Sequence, residues 1–353
     1  MTTLRARAAV AAVLLGVSLT GCSADDDGGE PAPSPAATEA TGLPPVAEGR
    51  ITRIMGDGTW NVLHGPRYFP DISISEPILL AAGPDDRLVG LQSSVPSVFT
   101  LAPDGTAETA AELGGDDPPM VFGTGPNAAV PAGDDAMLLL SGSGDEAQVG
   151  LLGLADGAFT PVATLTGGID DAAGAVILEL PGATHLQWKG TWWTLTGTVA
   201  EPTGAVPGEP PVPDILVAAR TASGVSALTA TELVVLDESL REVGRYPFAP
   251  PPGEVPGTVS AAAGDPAGEG LFVTTAEREA GSVLHVSPAG TTVLASGFPR
   301  RGGTPSTDCD DADVETGDAR LARPGSIAVW QERLVVANRG CYSVLQLPLP
   351  PQS

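Results

Sequence analysis

Short apolar runs of Val, Leu, Ile, Thr and Ala recur along most of the chain, and turn-forming residues separate them. Examples of the turns are Pro-Asp-Gly at 103–105, Ala-Asp-Gly at 155–157 and Pro-Ala-Gly at 288–290. Short strands with regularly spaced turns are typical of all-β sandwiches, barrels and propellers. A body of about 300 residues is too long for one sandwich and favours a propeller.

A four-strand pattern repeats within this body. It is found at residues 78–113, 128–165 and 258–295, each time with a turn between the third and fourth runs. A repeating unit of roughly 40–50 residues with four antiparallel strands is the signature of a propeller blade. Each of these segments is therefore predicted to form one blade.

The segment 183–250 allows two interpretations. Its expected strands are 185–189, 192–198, 215–220, 232–237 and 242–248, and a Pro-rich loop is expected at 201–213. These strands form either two thin blades or one blade with an insertion. The sequence thus predicts an all-β fold, a six-bladed β-propeller, with five blades as the alternative.

The first expected strand of the body, at 51–55, has no blade of its own, and the last unit lacks a fourth strand. Propellers avoid open sheet edges by pairing such strands. We expect the N-terminal strand to close the ring by pairing into the last blade. The propeller domain would then span 49–350, followed by a short tail at 351–353.

The N-terminus has the order of features found in secretory signals. Arg5 and Arg7 precede an apolar run at 8–17, which is too short to span a bilayer as a helix. The run leads to Leu19-Thr20-Gly21-Cys22, which resembles a bacterial lipobox. The resemblance implies a signal peptide at 1–21, removed before Cys22, and a lipid carrying fatty acyl chains such as palmitate on the Cys22 sulfur.

Residues 22–48 are predicted to be the lipidated cysteine and a disordered tether. The segment is rich in Pro, Ala and acidic residues and has almost no large apolar side chain with which to order itself. A lipid anchor followed by a tether places the expected propeller at the cell membrane, on its extracytoplasmic face.

Composition excludes several other classes. The chain has 43 Asp and Glu against 17 Lys and Arg, a formal net charge of −26, so nucleic acid is not an expected partner. Its 45 Gly and 35 Pro argue against a helical bundle. Because 42% of the residues are hydrophobic, the chain is not disordered throughout.

The last unit resembles an NHL repeat. Leu321-Ala322-Arg323-Pro324 is followed by a Gly-Ser-Ile-Ala-Val strand at 325–329, a Leu-Val-Val-Ala-Asn strand at 334–338 and Val-Leu-Gln-Leu at 344–347. The unit departs from the family pattern at Trp330 and Ser343. The resemblance implies a propeller blade, whereas the departures argue against transferring a family binding surface.

Two cysteines remain besides Cys22. In an oxidising compartment Cys309 and Cys341 are expected to form a disulfide, with a free thiol or a metal ligand as the alternatives. Cys309 would lie in the loop entering the last blade, and Cys341 at the turn between the second and third strands of that blade.

An acidic loop surrounds Cys309. Calcium binds roughly six to eight oxygens, which makes the carboxylates of this loop a weak candidate site, although the Gly and Glu of a standard calcium loop are missing. A solvated acidic loop is the favoured interpretation, and no cofactor is expected. The five carboxylates are Asp308, Asp310, Asp311, Asp313 and Glu315.

Trp188, Trp192 and Trp193 cluster around the single lysine, Lys189. Aromatic side chains on a propeller rim can stack a sugar or hold a peptide, so the three are weak candidates for ligand binding. The favoured interpretation is packing between blades.

No catalytic motif appears: the three histidines are isolated, and Gly-x-Ser-x-Gly, a phosphate loop and a Rossmann fingerprint are all lacking. We therefore expect a monomeric, membrane-anchored lipoprotein whose propeller is a binding or scaffolding module for an envelope protein, peptide or glycan. The alternative is a propeller hydrolase or lyase similar to lactonases or streptogramin lyases.

Overall fold

The fold was analysed in a computed structural model of the chain. The structure describes residues 42–58, 63, 65–92, 97–112, 126–167, 175–249, 258–277, 280–297, 309, 313–315 and 321–351. Within these residues no helix is long and apolar enough to cross a membrane.

The described residues form β-strands joined by turns and two short helical turns, Pro84–Asp86 and Arg339–Cys341. In chain order the strands are β1 (Arg50–Met55), β2 (Arg67–Tyr68), β3 (Pro77–Ala82), β4 (Leu88–Gln92), β5 (Ser97–Leu101), β6 (Thr106–Glu112), β7 (Pro126–Pro131), β8 (Ala136–Ser143), β9 (Glu146–Gly153), β10 (Phe159–Thr166), β11 (Val176–Leu180), β12 (Ala183–Trp188), β13 (Thr191–Gly197), β14 (Pro202–Gly208), β15 (Val217–Thr221), β16 (Gly224–Leu228), β17 (Glu232–Leu236), β18 (Glu242–Pro247), β19 (Thr258–Gly264), β20 (Leu271–Glu277), β21 (Ala280–Ser287), β22 (Gly290–Ser296), β23 (Asp313–Glu315), β24 (Pro324–Trp330), β25 (Arg333–Asn338) and β26 (Ser343–Pro348).

These strands make six antiparallel sheets, which are the blades of a β-propeller. Blade 1 contains β3 to β6, with β2 on its outer edge. Blades 2 to 5 contain β7 to β10, β11 to β14, β15 to β18 and β19 to β22. Blade 6 contains β24, β25, β26, β1 and β23, from the inside outwards.

The innermost strands form a closed ring in which β3, β7, β11, β15, β19 and β24 each contact the next, and β24 contacts β3. A cluster of buried apolar side chains lies in each interface between neighbouring blades. In blade 3, for example, Leu178 faces blade 4 and Ile177 faces blade 2. The period-2 alternation of the strands therefore serves both neighbours of a blade.

The prediction of a six-bladed propeller is confirmed, and residues 183–250 resolve into parts of blades 3 and 4. The expected loop at 201–213 was wrong in part, because Pro202–Gly208 is the outer strand of blade 3. An edge strand tolerates proline, since one side of its ladder needs no donor. The pattern also missed Val176–Leu180 and Gly224–Leu228 as strands.

The ring closes as predicted, through the N-terminal strand. Arg50–Met55 pairs antiparallel with β26, so blade 6 takes its fourth strand from the start of the domain. A fifth strand, Asp313–Glu315, pairs with the other side of β1. Ile51 and Ile54 are fully buried, which shows that the closing strand is part of the core.

The predicted disulfide is confirmed. Cys309 and Cys341 are bonded, with their Cα atoms 5.4 Å apart. Cys341 lies in the short helical turn between β25 and β26, which is the predicted turn of the last blade. The bridge therefore fixes the segment that precedes blade 6 to the middle of that blade.

Blades 4 and 5 approach closely at one glycine. A Cβ atom placed on Gly264, the last residue of β19, would overlap the backbone carbonyl oxygen of Arg220. Gly264→Ala is therefore expected to lower the free energy of unfolding by about 1–3 kcal/mol, as overpacking does. Urea denaturation would measure the change.

The matched control for this variant is Gly208→Ala. Gly208 ends the outer strand of blade 3 and has open space where a Cβ would stand. Its unfolding free energy should stay within about 0.5 kcal/mol of the parent value. Equal effects from the two substitutions would contradict the proposed close approach.

Candidate functional site

The central channel is the cavity to which every blade contributes. It has a volume of about 280 Å³, and its walls are residues of the six innermost strands. Most of these residues are apolar or small, including Leu80 of β3, Val130 of β7, Ile177 of β11 and Ala261 of β19. The result is a narrow channel through the middle of the ring, with a lining of mixed polar and apolar character.

Two charged side chains, Glu179 and Arg220, line this channel. Glu179 is the penultimate residue of β11 and Arg220 the penultimate residue of β15, so they occupy equivalent positions in neighbouring blades. Because the innermost strands run side by side around the ring, the two groups lie at the same end of the channel. Among the described residues, neither charged group makes a side-chain hydrogen bond or an ion pair.

Partial burial in the channel destabilises the ionised form of the Glu179 carboxyl. Burial raises the pKa of the half-buried Glu179 carboxyl, while the positive charge of Arg220 acts in the opposite direction. An ionised carboxylate at this position has lost part of its hydration, and the charge of Arg220 offsets only part of that loss. A cationic group supplied from outside would favour the ionised form.

The other end of the channel carries an arginine cluster. Nη2 of Arg339 lies 2.7 Å from Oε1 of Glu76, and Nη2 of Arg323 lies 3.6 Å from the same oxygen. Glu76 and Arg323 directly precede the innermost strands β3 and β24, and Arg339 follows β25. Both guanidinium groups pair with Glu76, and these ion pairs join the starts of the innermost strands of blades 1 and 6.

The three tryptophan candidates lie between blades. Trp188 is 7% exposed and packs in the interface of blades 2 and 3, where Trp193 also contacts the cluster. Trp192 is 2% exposed and packs between blades 3 and 4. The structure thus places the indole rings in blade packing, and it brings none of them to the channel wall described above.

Most of the other candidate residues lie outside the described part of the chain. These are Cys22 with its lipid, and Asp308, Asp310 and Asp311 of the acidic loop. Asp313 and Glu315 belong to β23, whose backbone alone is described. The solvated acidic loop therefore stays a prediction, with calcium binding as its weaker alternative. Among the described residues, no group of three or more His, Cys, Asp or Glu could hold a metal ion.

The two described histidines lie in different blades. His285 of β21 bonds to Asp265, with 3.1 Å between Nε2 and Oδ2, and stacks on Phe272. His185 of β12 lies beside Trp192, with 6.0 Å between the ring centroids. Burial lowers the pKa of His185 below its ordinary value of 6.5.

This shift predicts a pH dependence of stability. The unfolded chain binds a proton at residue 185 more tightly than the folded chain does, so unfolding takes up a proton below about pH 6.5. The unfolding free energy should therefore fall as the pH falls from 7 to 5, and His185→Gln should make this fall smaller. Urea denaturation at several pH values measures both slopes, and equal slopes would contradict the prediction.

Neither Glu179 nor Arg220 was found from the sequence. Each is a single charge inside a short apolar run, and nothing in the local pattern marks either one. Aligning blades 3 and 4 strand by strand could have placed the two at equivalent positions, but Val176–Leu180 was missed as a strand.

Comparisons with known proteins agree on the fold. An auxiliary nutrient binding protein from Bacteroides ovatus matches with a TM-score of 0.54 at 14% identity, covering 85% of this chain and 76% of that chain. A protein of the same description from Bacteroides thetaiotaomicron matches with a TM-score of 0.52 at 11% identity, covering 84% and 75%. At these identities the similarity shows the fold alone.

A virginiamycin B lyase from Staphylococcus aureus matches with a TM-score of 0.43 at 13% identity, covering 78% of this chain and 95% of that chain. This similarity is too low to carry an argument about chemistry. No protein family and no curated protein matches the chain by sequence. The resemblance of the last blade to an NHL repeat therefore stays a prediction.

Proposed function

We propose that the propeller is an extracytoplasmic ligand-binding module, held at the cell membrane by a lipid on Cys22. The central channel carries this proposal, because it is a cavity that all six blades build and that holds two charged side chains, neither of which makes a hydrogen bond or an ion pair among the described residues. A cavity lined by small and aliphatic residues with a few polar side chains is the usual composition of a small-molecule site. The ligand is a small molecule, or the end of an envelope peptide or glycan.

Two further observations support binding rather than catalysis. Two proteins of this fold are described as auxiliary nutrient binding proteins. In addition, the described lining residues include a single carboxylate and no histidine or asparagine. The lactonase-like and lyase-like alternatives need several such groups to converge on the channel.

The binding site is tested by filling the channel. The parent chain and an Ala128→Trp variant are each incubated with small molecules extracted from envelopes, and native mass spectrometry detects what is retained. Ala128 lines the channel, so we expect the variant to lose a ligand that the parent retains. Val206→Trp is the matched control, because Val206 is 51% exposed on the outer strand of blade 3. Equal retention by all three proteins would refute a channel site.

The anchor is tested separately, in cells. The parent chain is expected to incorporate radiolabelled palmitate and to sediment with membranes, whereas Cys22→Ala should do neither, because lipid chains supply the membrane affinity. A Cys22→Ala chain that still sediments with membranes would contradict the lipid anchor.

A further inference from the structure

We propose that the channel binds a small aliphatic zwitterion, an α-amino acid such as leucine, with its ammonium group on Glu179 and its carboxylate on Arg220. This proposal rests on the proposed binding function and specifies the chemical class of the ligand. It starts from the two charges that share one end of the channel.

The first argument concerns the partners of the two charges, which act on each other electrostatically but do not bond directly. In the described residues, neither side chain has a hydrogen-bonding or ion-pairing partner, although the domain pairs other charges, such as Arg87 with Glu108 and Arg339 with Glu76. Glu179 is also half buried. A ligand that carries both signs would satisfy both groups, and charge-assisted hydrogen bonds are the strong ones.

The second argument concerns the spacing of the charges in the ligand. Glu179 and Arg220 stand at equivalent positions of adjacent innermost strands and are close enough for the charge of Arg220 to act on Glu179, so we place one ligand head group between them. The ammonium and carboxylate groups of an α-amino acid are attached to the same carbon. The end of a peptide carries only one of the two groups and would leave the other protein charge unsatisfied.

The third argument comes from the channel wall. Past the charged end, the described lining consists of small and aliphatic residues such as Ala218 together with Ser260 and Ser326, and it includes no aromatic side chain. Sugars are usually bound by aromatic stacking, which this described wall does not offer. The channel volume of about 280 Å³ lies just below the range of roughly 300–1,000 Å³ for sites of drug-sized ligands. The apolar part of the ligand is therefore expected to be no larger than one amino-acid side chain.

The test uses three probes that share one aliphatic body. Leucine carries both charges, 4-methylpentanoate carries only the carboxylate, and 3-methylbutylamine carries only the ammonium group. Isothermal titration of the full chain is expected to show leucine binding with each single-charge probe at least about tenfold weaker, as loss of a charged hydrogen bond predicts. Equal affinity for all three probes would overturn the proposal.

Two variants assign the contacts. Arg220→Gln should weaken leucine and 4-methylpentanoate by at least about tenfold and leave 3-methylbutylamine unchanged. Glu179→Gln should weaken leucine and 3-methylbutylamine and leave 4-methylpentanoate unchanged. Arg245→Gln is the control, since Arg245 binds Glu232 and Glu242 on the outer part of blade 4. A circular dichroism melt of each variant verifies folding.

The outcomes separate this proposal from the function on which it rests. If leucine fails to bind while the channel still retains an envelope-derived molecule, the ligand class is wrong and the binding function stands. If the Ala128→Trp variant retains that molecule as well, the channel is not the site and both proposals fail. If Arg220→Gln and Glu179→Gln destabilise the fold without changing leucine affinity, the two charges serve structure alone and the proposal is refuted.

Discussion

Replacing Cys309 and Cys341 together with alanine is expected to lower the free energy of unfolding by about 4 kcal/mol. The bridge joins residues 32 positions apart in the sequence. In the chain-entropy description, closing a loop of that length removes about 4 kcal/mol of conformational freedom from the unfolded chain. Urea denaturation of the oxidised parent and the double variant measures the difference.

The reduced parent is the internal control for this experiment. With dithiothreitol present, the parent chain should unfold at the urea concentration of the double variant, and the reductant should not change the variant itself. An oxidised parent no more stable than the variant would show that the bridge does not contribute.

The second large effect is expected from Ile54→Ala in this closing strand. Ile54 is fully buried and packs in the cluster between blades 6 and 1, which also contains Phe99 and Trp330. Replacing a buried isoleucine with alanine lowers the free energy of unfolding by about 2–5 kcal/mol, because apolar burial is lost and a cavity remains. The measurement is again the unfolding free energy in urea.

The control for Ile54→Ala is Val243→Ala. Val243 lies on β18 and is 62% exposed, so its truncation should change the unfolding free energy by less than about 0.5 kcal/mol. If Ile54→Ala changed the free energy of unfolding as little as Val243→Ala, the N-terminal strand would pair with blade 6 without stabilising the closed ring. A large effect would show that the ring depends on a segment far from blade 6 in the sequence.

Strand patterns predicted the fold well because each blade repeats a local signal. Turn residues such as Asp104 and Asp156 accept hydrogen bonds from the backbone two residues later, so they mark the turn wherever a blade occurs. The unpaired run at 51–55 predicted ring closure for a similar reason, since an open edge requires a partner. The pairing of β1 with β26 confirms this prediction.

Local patterns also failed at an edge strand that lacks the usual composition. The segment Pro202–Gly208 contains two prolines and two glycines, which indicate a loop, yet it pairs with β13 along its length. Pairing with β13, the neighbouring strand of the same sheet, supplies the order that the segment does not encode by itself. Tertiary pairing outweighs intrinsic strand propensity most easily at such an edge.

The candidate site was the least predictable part. Glu179 and Arg220 come together because a ring places the same position of neighbouring blades side by side, and this relation exists only after the ring closes. The tryptophans gave a stronger local signal and turned out to lie within blade interfaces. In a repeat fold, equivalent positions of successive blades are more informative than clusters along the sequence.

The position of β1 also determines how the domain responds to mechanical force. Residues ahead of this strand already contact the domain: Leu43 packs against the cluster between blades 6 and 1, and the carbonyl oxygen of Pro44 accepts a hydrogen bond from Gln346. Beyond these contacts, a pull from the N-terminal side loads β1, which is paired with β26 on one side and β23 on the other. Hydrogen bonds between antiparallel strands lie across the strand axis, so a pull along that axis loads the bonds on both sides together, in shear. Under such a pull, the strand that closes the ring also carries the load, and it transmits that load to both of the strands with which it pairs in blade 6.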